Sequence, residues 1–226
     1  MHVLLFGATG MIGHGALEAC LRDPAVERLT IVGRRATGRV HPRLTEYVRA
    51  DVAGLSGLEA ELRTVDACLF CLGVSSSGLG EQRYTELTYD LTLSVARTLV
   101  GLNPAMAFVY VSGAGTDSSE RGRMMWARVK GRTENALLGL GFRSAVMLRP
   151  GVIQPVEGAR SGTRLYRVLY AAMAPVMPVL RRLFPGQIVT TAELGRAMLA
   201  AARLGSATAV LEAPEIARLA RGGEAV

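Results

Sequence analysis

Along the first two-thirds of the chain, short apolar runs alternate with longer amphipathic stretches. His2–Phe6, Arg28–Val32, Tyr47–Arg49, Ala67–Cys71, Ala107–Val111 and Ala145–Arg149 read as strands, and Met11–Arg22, Gly57–Arg63, Glu81–Leu102 and Met124–Leu140 as helices. The strand runs are apolar throughout rather than at every second position, which is the pattern of a sheet covered on both faces. Strands separated by helices imply a parallel sheet with right-handed crossovers. After Val156 the pattern changes. A loop is expected over Glu157–Gly162, followed by an apolar stretch from Leu165 to Phe184 that Pro175 and Pro178 interrupt. Thr190 and Glu193 have the spacing of a capping box, predicting a helix to about Arg203, and Ala209–Leu211 reads as a last strand.

The turn after the first strand carries the first chemical signal. Gly7-Ala8-Thr9-Gly10-Met11-Ile12-Gly13 leads from an apolar run into a helix. At that place Gly7 allows the sharp turn, Gly10 lets backbone approach a pyrophosphate, and Gly13 lets helix pack closely on strand. The free N–H groups at the helix start then face a dianion. An NAD site would carry a carboxylate at the end of the second strand to hold the ribose hydroxyls. Here that strand ends Gly33-Arg34-Arg35. Two guanidiniums suit a 2′-phosphate, so NADP is favoured over NAD. Asp51 and Val52 are placed at the adenine edge, and Leu72 and Gly73 where the backbone passes the ribose. The predicted fold is α/β, a Rossmann-type doubly wound parallel sheet with a small C-terminal cap. It forms one domain over 1–226, with 1–156 as the cofactor core and 157–226 as the substrate and cap region.

These residues, together with Val111-Ser112-Gly113, Val129-Lys130-Gly131 and Arg149-Pro150-Gly151, make the chain similar to the short-chain dehydrogenase/reductase superfamily. The resemblance is to its atypical or extended branch with an NAD(P)-binding, epimerase-like domain, and within it to the group of the Tat-interacting metastasis suppressor. It covers residues 1 to about 156 and the helix after Thr190. It implies that Thr9, Met11, Ile12, Pro150 and Val152 also border the cofactor. Ser112 takes the place of the serine that hydrogen-bonds the substrate oxygen. Lys130 takes that of the lysine that holds the nicotinamide ribose and lowers a tyrosine pKa from one helix turn away. The residue four before Lys130 is Trp126, where the family pattern has tyrosine. An indole N–H donates but does not titrate usefully, so Trp126 fills the position without serving as acid or base. The expected function is an NADP(H)-binding oxidoreductase of non-standard mechanism. The alternative is a cofactor-binding regulatory or scaffold protein without chemistry, including one at a membrane. Tyr84, Tyr89 and Asp90 are candidates to replace the phenol, though each reads first as a packing or solvated residue. Ser75–Ser77 reads as a polar loop near the nicotinamide. Asp117–Arg123 is either a cover for the site or a solvated loop.

Composition narrows the partners. Net charge is +7, from 26 basic residues of which only Lys130 is lysine. Surface charge in this chain is therefore supplied by arginine, which marks Lys130 for a site that needs a compact ammonium. The arginines are scattered, with no long basic run among aromatics, and nucleic acid is not expected as a partner. Cys68 and Cys71 point to opposite faces of a strand, no second such pair exists, and the histidines lack ligand spacing, so no metal is expected. Three cysteines and no signal peptide predict a cytoplasmic protein. The apolar stretch 165–184 is read first as a lid over a small-molecule pocket, which makes the substrate apolar. An interface between copies and a contact with an anionic membrane surface rank behind.

Overall fold

The structure is a computed structural model that describes residues 1–156, 186–204 and 209–222. The expectations for 157–185, the lid segment included, lie outside the described residues. Seven parallel strands form one sheet in the order β3-β2-β1-β4-β5-β6-β9: β1 (His2–Phe6), β2 (Arg28–Gly33), β3 (Leu44–Val48), β4 (Ala67–Phe70), β5 (Ala107–Val111), β6 (Ser144–Arg149) and β9 (Val210–Glu212). This is the doubly wound order, in which the chain reverses direction across the sheet between β1 and β4. β7 (Val152–Gln154) and β8 (Ile188–Thr190) pair separately, a short ribbon that sequence patterning does not reveal because each strand is only three residues long.

The continuous apolar runs are explained by burial on both sides. Every residue of β1, β4 and β5 is buried. One face carries α1 (Met11–Arg22), α6 (Thr191–Leu204) and α7 (Ala213–Leu219) over Val3, Leu5, Leu69 and Val109. The other face carries the short α2 (Glu59–Leu62), α4 (Leu91–Leu102) and α5 (Met125–Leu138) over Leu4, Phe6, Phe70 and Phe108. A row of rings runs across that second face, with Phe6, Phe70 and Phe108 spaced at 5.4 and 5.8 Å and Phe142 5.0 Å beyond. Cys68 belongs to the second face and Cys71 packs against the first, as their spacing on a strand requires.

The third strand, Leu44–Val48, starts three residues before its apolar signal and ends one residue before that signal does. Its edge position leaves Val48 exposed and removes the apolar pattern that marks the central strands. The predicted helix over 81–102 is continuous but not uniform. α3 (Glu81–Thr85) passes through a π-helical segment, Glu86–Asp90, before α4 begins. The Thr190–Glu193 box forms, with the Thr190 N–H donating to the Glu193 carboxylate at 2.7 Å and the Glu193 N–H to Thr190 Oγ1 at 3.1 Å. The helix it opens is part of the main core, as α6 buries Leu194, Ala197, Met198 and Ala201 against the sheet.

α6 lies against α1 more closely than side chains permit. A Cβ on Gly15 would stand 2.2 Å from the Thr191 carbonyl oxygen, and one on Gly195 would stand 2.4 Å from that of Gly15. Both obstacles are backbone, so neither can swing aside. Gly15→Ala is expected to lose about 1–3 kcal/mol of unfolding free energy in a denaturant titration, the cost of an overpacked core. A loss under about 0.5 kcal/mol, within the range of ordinary surface changes, contradicts this close packing.

Candidate functional site

The carboxyl ends of β1, β2 and β4 open onto a pocket of about 310 Å³ lined by Gly7, Ala8, Thr9, Ile31, Gly33, Arg34, Arg35, Val52 and Leu72. Of the residues expected at a dinucleotide, Gly7, Thr9, Arg34, Arg35, Val52 and Leu72 meet here. Gly7 has φ +81°, and a Cβ on it would strike the Cys71 carbonyl carbon at 2.8 Å. A Cβ on Gly13 would stand 2.0 Å from the Gly7 carbonyl oxygen. The loop thus brings the start of α1 directly onto the end of β1. The first helical bond is from the His14 N–H to the Gly10 carbonyl at 2.8 Å, which leaves the Met11, Ile12 and Gly13 amides ahead of it. Gly10 provides no side-chain cap and the first turn holds no acid, so nothing there competes for an anion. The Met11 and Ile12 side chains pack into the core, and their part at the turn is through backbone.

Arg34 and Arg35 are exposed and make no hydrogen bond or ion pair among the described residues. Two other arginines of this part of the chain are held. Arg28 is held by Glu61 at 2.8 Å, and Arg49 donates to the Gly54 carbonyl at 3.1 Å. Asp51 is turned from the expected adenine edge into its own turn, its carboxylate accepting the Ala53 N–H at 2.9 Å, which leaves Val52 to line the pocket. Gly73 is exposed beyond Leu72 and outside the pocket wall. A larger cavity of about 410 Å³ lies outside α1, α6 and α7, between Pro24, Leu199 and Leu219. Its Arg203 is matched by Asp23 at 2.6 Å, and it is far from the strand ends that gather the conserved chemistry of this fold class.

The second group of candidates clusters at the end of β5. The Ser112 N–H donates to the Leu148 carbonyl at 2.8 Å and the Ala114 N–H to the Pro150 carbonyl at 3.0 Å, so the serine turn is stitched to the end of β6. Ser112 is buried, with its Oγ 3.0 Å from Thr116 Oγ1. Trp126 packs its ring on the Gly115 turn, where a Cβ would lie 3.5 Å from the indole edge. One turn on, Lys130 is partly buried, with Nζ 5.5 Å from the centroid of the Tyr110 ring. Burial holds its ammonium down to about 8, with Glu134 pulling the other way. Val152 sits apart on β7, exposed, and Pro150 is buried. Tyr84 is sealed under the α3–α5 contact and its phenol is pushed up by burial. Tyr89 lies under the Arg132 guanidinium at 4.2 Å, and Asp90 is exposed. Ser75–Ser77 forms a turn in which Ser77 N–H donates to Ser75 Oγ at 3.2 Å.

Asp117–Arg123 is not a loose loop. Asp117 accepts the Gly122 N–H at 2.6 Å and the Ser119 N–H at 3.0 Å, and Asn135 on α5 donates to the Ser118 carbonyl at 3.0 Å. A Cβ on Gly131 would stand 1.8 Å from the Asp117 carbonyl oxygen, so the loop lies directly on α5. Beneath it is a buried ion pair that sequence reading missed. Glu134 is fully buried, and both its oxygens accept Nε of Arg149, at 3.0 and 3.2 Å. Arg149 also reaches Glu212 at 3.2 Å and Ser118 Oγ at 2.5 Å, joining α5, β6, β9 and the loop. The one available signal was Glu134 standing a helix turn after Lys130. Among the described residues no group of three or more His, Cys, Asp or Glu gathers to hold a metal, and no helix is long and apolar enough to cross a membrane.

No protein-family model matches the chain. Among curated proteins it is 30% identical over 188 residues to the protein fmp52, mitochondrial, of Emericella nidulans, covering 80% of this chain and 79% of the relative. It is likewise 30% identical over 170 residues to fmp52, mitochondrial, of Aspergillus clavatus, covering 72% and 70%. These relatives are named as mitochondrial proteins, which overturns the expectation of a cytoplasmic one; a count of cysteines and a short first strand report on redox state and length, not on destination. Among solved structures, the Bordetella bronchiseptica enzyme WbmF in complex with NAD+ superposes with a TM-score of 0.68 at 16% identity, over 97% of this chain and 76% of that one. UDP-glucuronic acid 4-epimerase from Bacillus cereus, in complex with UDP-glucuronic acid and NAD, gives 0.65 at 14% identity, over 100% and 85%. The reductase domain of PhqB from Penicillium fellutanum gives 0.66 at 16%, over 94% and 66%. At these identities the likeness establishes the Rossmann-type fold.

The buried pair makes a direct prediction. Glu134→Gln leaves the Arg149 charge short of its partner, and the unfolding free energy is expected to fall by about 3 kcal/mol. A loss below about 1 kcal/mol in the same titration contradicts a structural role for the pair.

Proposed function

The chain belongs to the Fmp52 family, and on that footing we propose that it is an NADP(H)-dependent oxidoreductase that works without a catalytic tyrosine. The observation that carries the proposal is the pocket that opens at Gly7–Thr9, whose far wall holds two arginines with no partner among the described residues. An arginine at the surface of a folded protein gains little from a distant carboxylate, but a phosphate monoester offers it a bidentate, doubly charged acceptor. The loop fits a diphosphate because its three glycines leave no Cβ between the helix amides and the strand end. The solved relatives in fold that hold NAD support a nicotinamide dinucleotide as the class of ligand. The preference for NADP rests on Arg34 and Arg35. The narrower kinship with the Tat-interacting metastasis suppressor group belongs to the same proposal and rests on the motifs around Ser112 and Lys130.

When bound, the dinucleotide supplies a hydride. The protein's own residues have other tasks. The Met11, Ile12 and Gly13 amides hold the diphosphate, Arg34 and Arg35 take the additional phosphate, and Val52 and Leu72 enclose the adenosine. Ser112 and Lys130, at the end of β5, flank the place where a substrate oxygen meets the nicotinamide. The substrate is a small molecule. Trp126 supports a second reading, a protein that binds the dinucleotide without turning it over, because the indole at the tyrosine position cannot exchange a proton. Replacing Trp126 with tyrosine separates the two. Carbonyl reduction seen only in Trp126→Tyr favours the binder, and reduction already present in the unaltered protein favours the enzyme.

The cofactor preference is read by calorimetry. Arg34→Ala with Arg35→Ala is expected to weaken NADPH by about tenfold or more, since each charge-assisted hydrogen bond contributes about 1.5–3 kcal/mol and 1.4 kcal/mol is tenfold. NADH affinity should change by less than about threefold, within the scatter of such comparisons. Equal losses for the two nucleotides contradict a 2′-phosphate site.

A further inference from the structure

The protons at the end of β5 can be followed one by one. Tyr110 lies on β5 with its ring on the face of the phenylalanine row, and Ser112 follows just past the end of the strand, its N–H still donating to the Leu148 carbonyl at 2.8 Å. α5 covers this face and sets Lys130 Nζ over the Tyr110 ring. Ser112 holds the place from which a hydroxyl would donate to a substrate oxygen, but its proton is committed. Thr116 Oγ1 donates to the Gly113 carbonyl at 2.7 Å, and a carbonyl can only accept. The one proton of Thr116 is therefore used there. The 3.0 Å contact between the two hydroxyls then requires Ser112 to donate and Thr116 to accept. Ser112 is left with lone pairs to offer.

The remaining groups fail for separate reasons. The Trp126 N–H does not titrate in a useful range. Glu134 is fully buried with Arg149 donating to both its oxygens. Tyr110 is sealed between Lys130 and the row of phenylalanines, and burial pushes its phenol far up. Tyr84, from α3, is sealed as well and also pushed up. Lys130 differs from all of them. It makes no hydrogen bond or ion pair among the described residues, and its one close neighbour of note is the face of an aromatic ring.

We propose that Lys130 itself is the proton donor of this site, with Thr116 holding Ser112 as the hydrogen-bond acceptor beside it. The proposal rests on the oxidoreductase reading above. As a carbonyl carbon takes up the hydride and its electron pair from NADPH, the carbonyl oxygen takes a proton from the Lys130 ammonium. The products are the alcohol, NADP+ and a neutral amine, which water reprotonates. The groups that act on Lys130 or on its aromatic neighbour are Glu134 on its own helix, whose charge raises the lysine, Tyr110 on β5, and Tyr84, which lies close enough to Tyr110 to act on it; Arg149 on β6 is the hydrogen-bonded partner of Glu134. With that arrangement burial prevails and brings Lys130 down to about 8, in the range where lysines serve as acids and bases near neutral pH. The same inventory explains why this position is the sole lysine of a chain that otherwise uses arginine, a cation that does not lose its proton in proteins.

A sole lysine makes the test direct. Protein carrying 13C-labelled lysine gives one Cε resonance, and Lys130→Arg confirms its assignment by removing it. Its titration is expected to have a midpoint near 8, more than two units below the ordinary 10.5, and to respond to saturating NADPH. A midpoint near 10.5, or a resonance that ignores NADPH in protein shown by Trp126 fluorescence to have bound it, overturns the proposal while leaving the dinucleotide site intact. Absence of NADPH binding overturns the functional reading and this proposal with it. Carbonyl reduction that survives in Lys130→Arg at more than about a tenth of the unaltered rate, a loss smaller than general acid catalysis contributes, also overturns it.

Discussion

Gly13 leaves no room for a side chain, because the Gly7 carbonyl oxygen would stand 2.0 Å from its Cβ. That contact fixes where α1 begins relative to the end of β1, and the rest of the site depends on it. With the helix seated so closely, its start lies at the carboxyl edge of the sheet, where the segments that follow β2, β3 and β4 bring Arg34, Val52 and Leu72 around the same opening. The same helix is held from outside by the glycine contact with α6, so its position is set by backbone on both sides. A loop with one methyl group more at either place would have to lift the helix, and the amides would no longer converge.

The second half of the site is built by a different device. Ser112 follows β5 and Lys130 lies on α5, and neither strand nor helix alone fixes their relation. Glu134 and Arg149 do so, by tying α5 to the ends of β6 and β9 and to the loop that follows Ser112. Burying such a pair is seldom a net gain in stability over apolar packing, but breaking one is costly. Here it also engages the Glu134 carboxylate in hydrogen bonds to Arg149, so that Glu134 acts on Lys130 only as a charge and burial outweighs it. One ion pair thus fixes the helix that carries the lysine. The π-helical segment opposite, which carries Thr88 and Tyr89 against α5, adds a local widening of the helix of a kind often found beside functional sites.

Much of this was legible in the sequence because it rests on backbone constraints and burial. The glycine spacing, the unbroken apolar strands and the box at Thr190 each have one physical reading. What was not legible depends on contacts between distant parts of the chain. Glu134 looks like any helix carboxylate until Arg149 is folded against it. Thr116 looks like a turn residue until its hydroxyl is found 3.0 Å from that of Ser112. Asp51, expected at the adenine because it follows a strand, accepts the Ala53 amide within its own turn. The apolar signal for β3 starts three residues late because an edge strand needs no apolar alternation. The expected destination of the protein was overturned by its relatives, since neither cysteine count nor strand length carries an address.

The central claim is that backbone amides at the start of α1 hold a dinucleotide diphosphate. It is tested most directly by following the amide resonances of 15N-labelled protein during addition of NADPH. The Met11, Ile12 and Gly13 amides are expected to shift together and saturate with one binding constant. Saturable binding that leaves those three amides unmoved, or no binding at all, would contradict it.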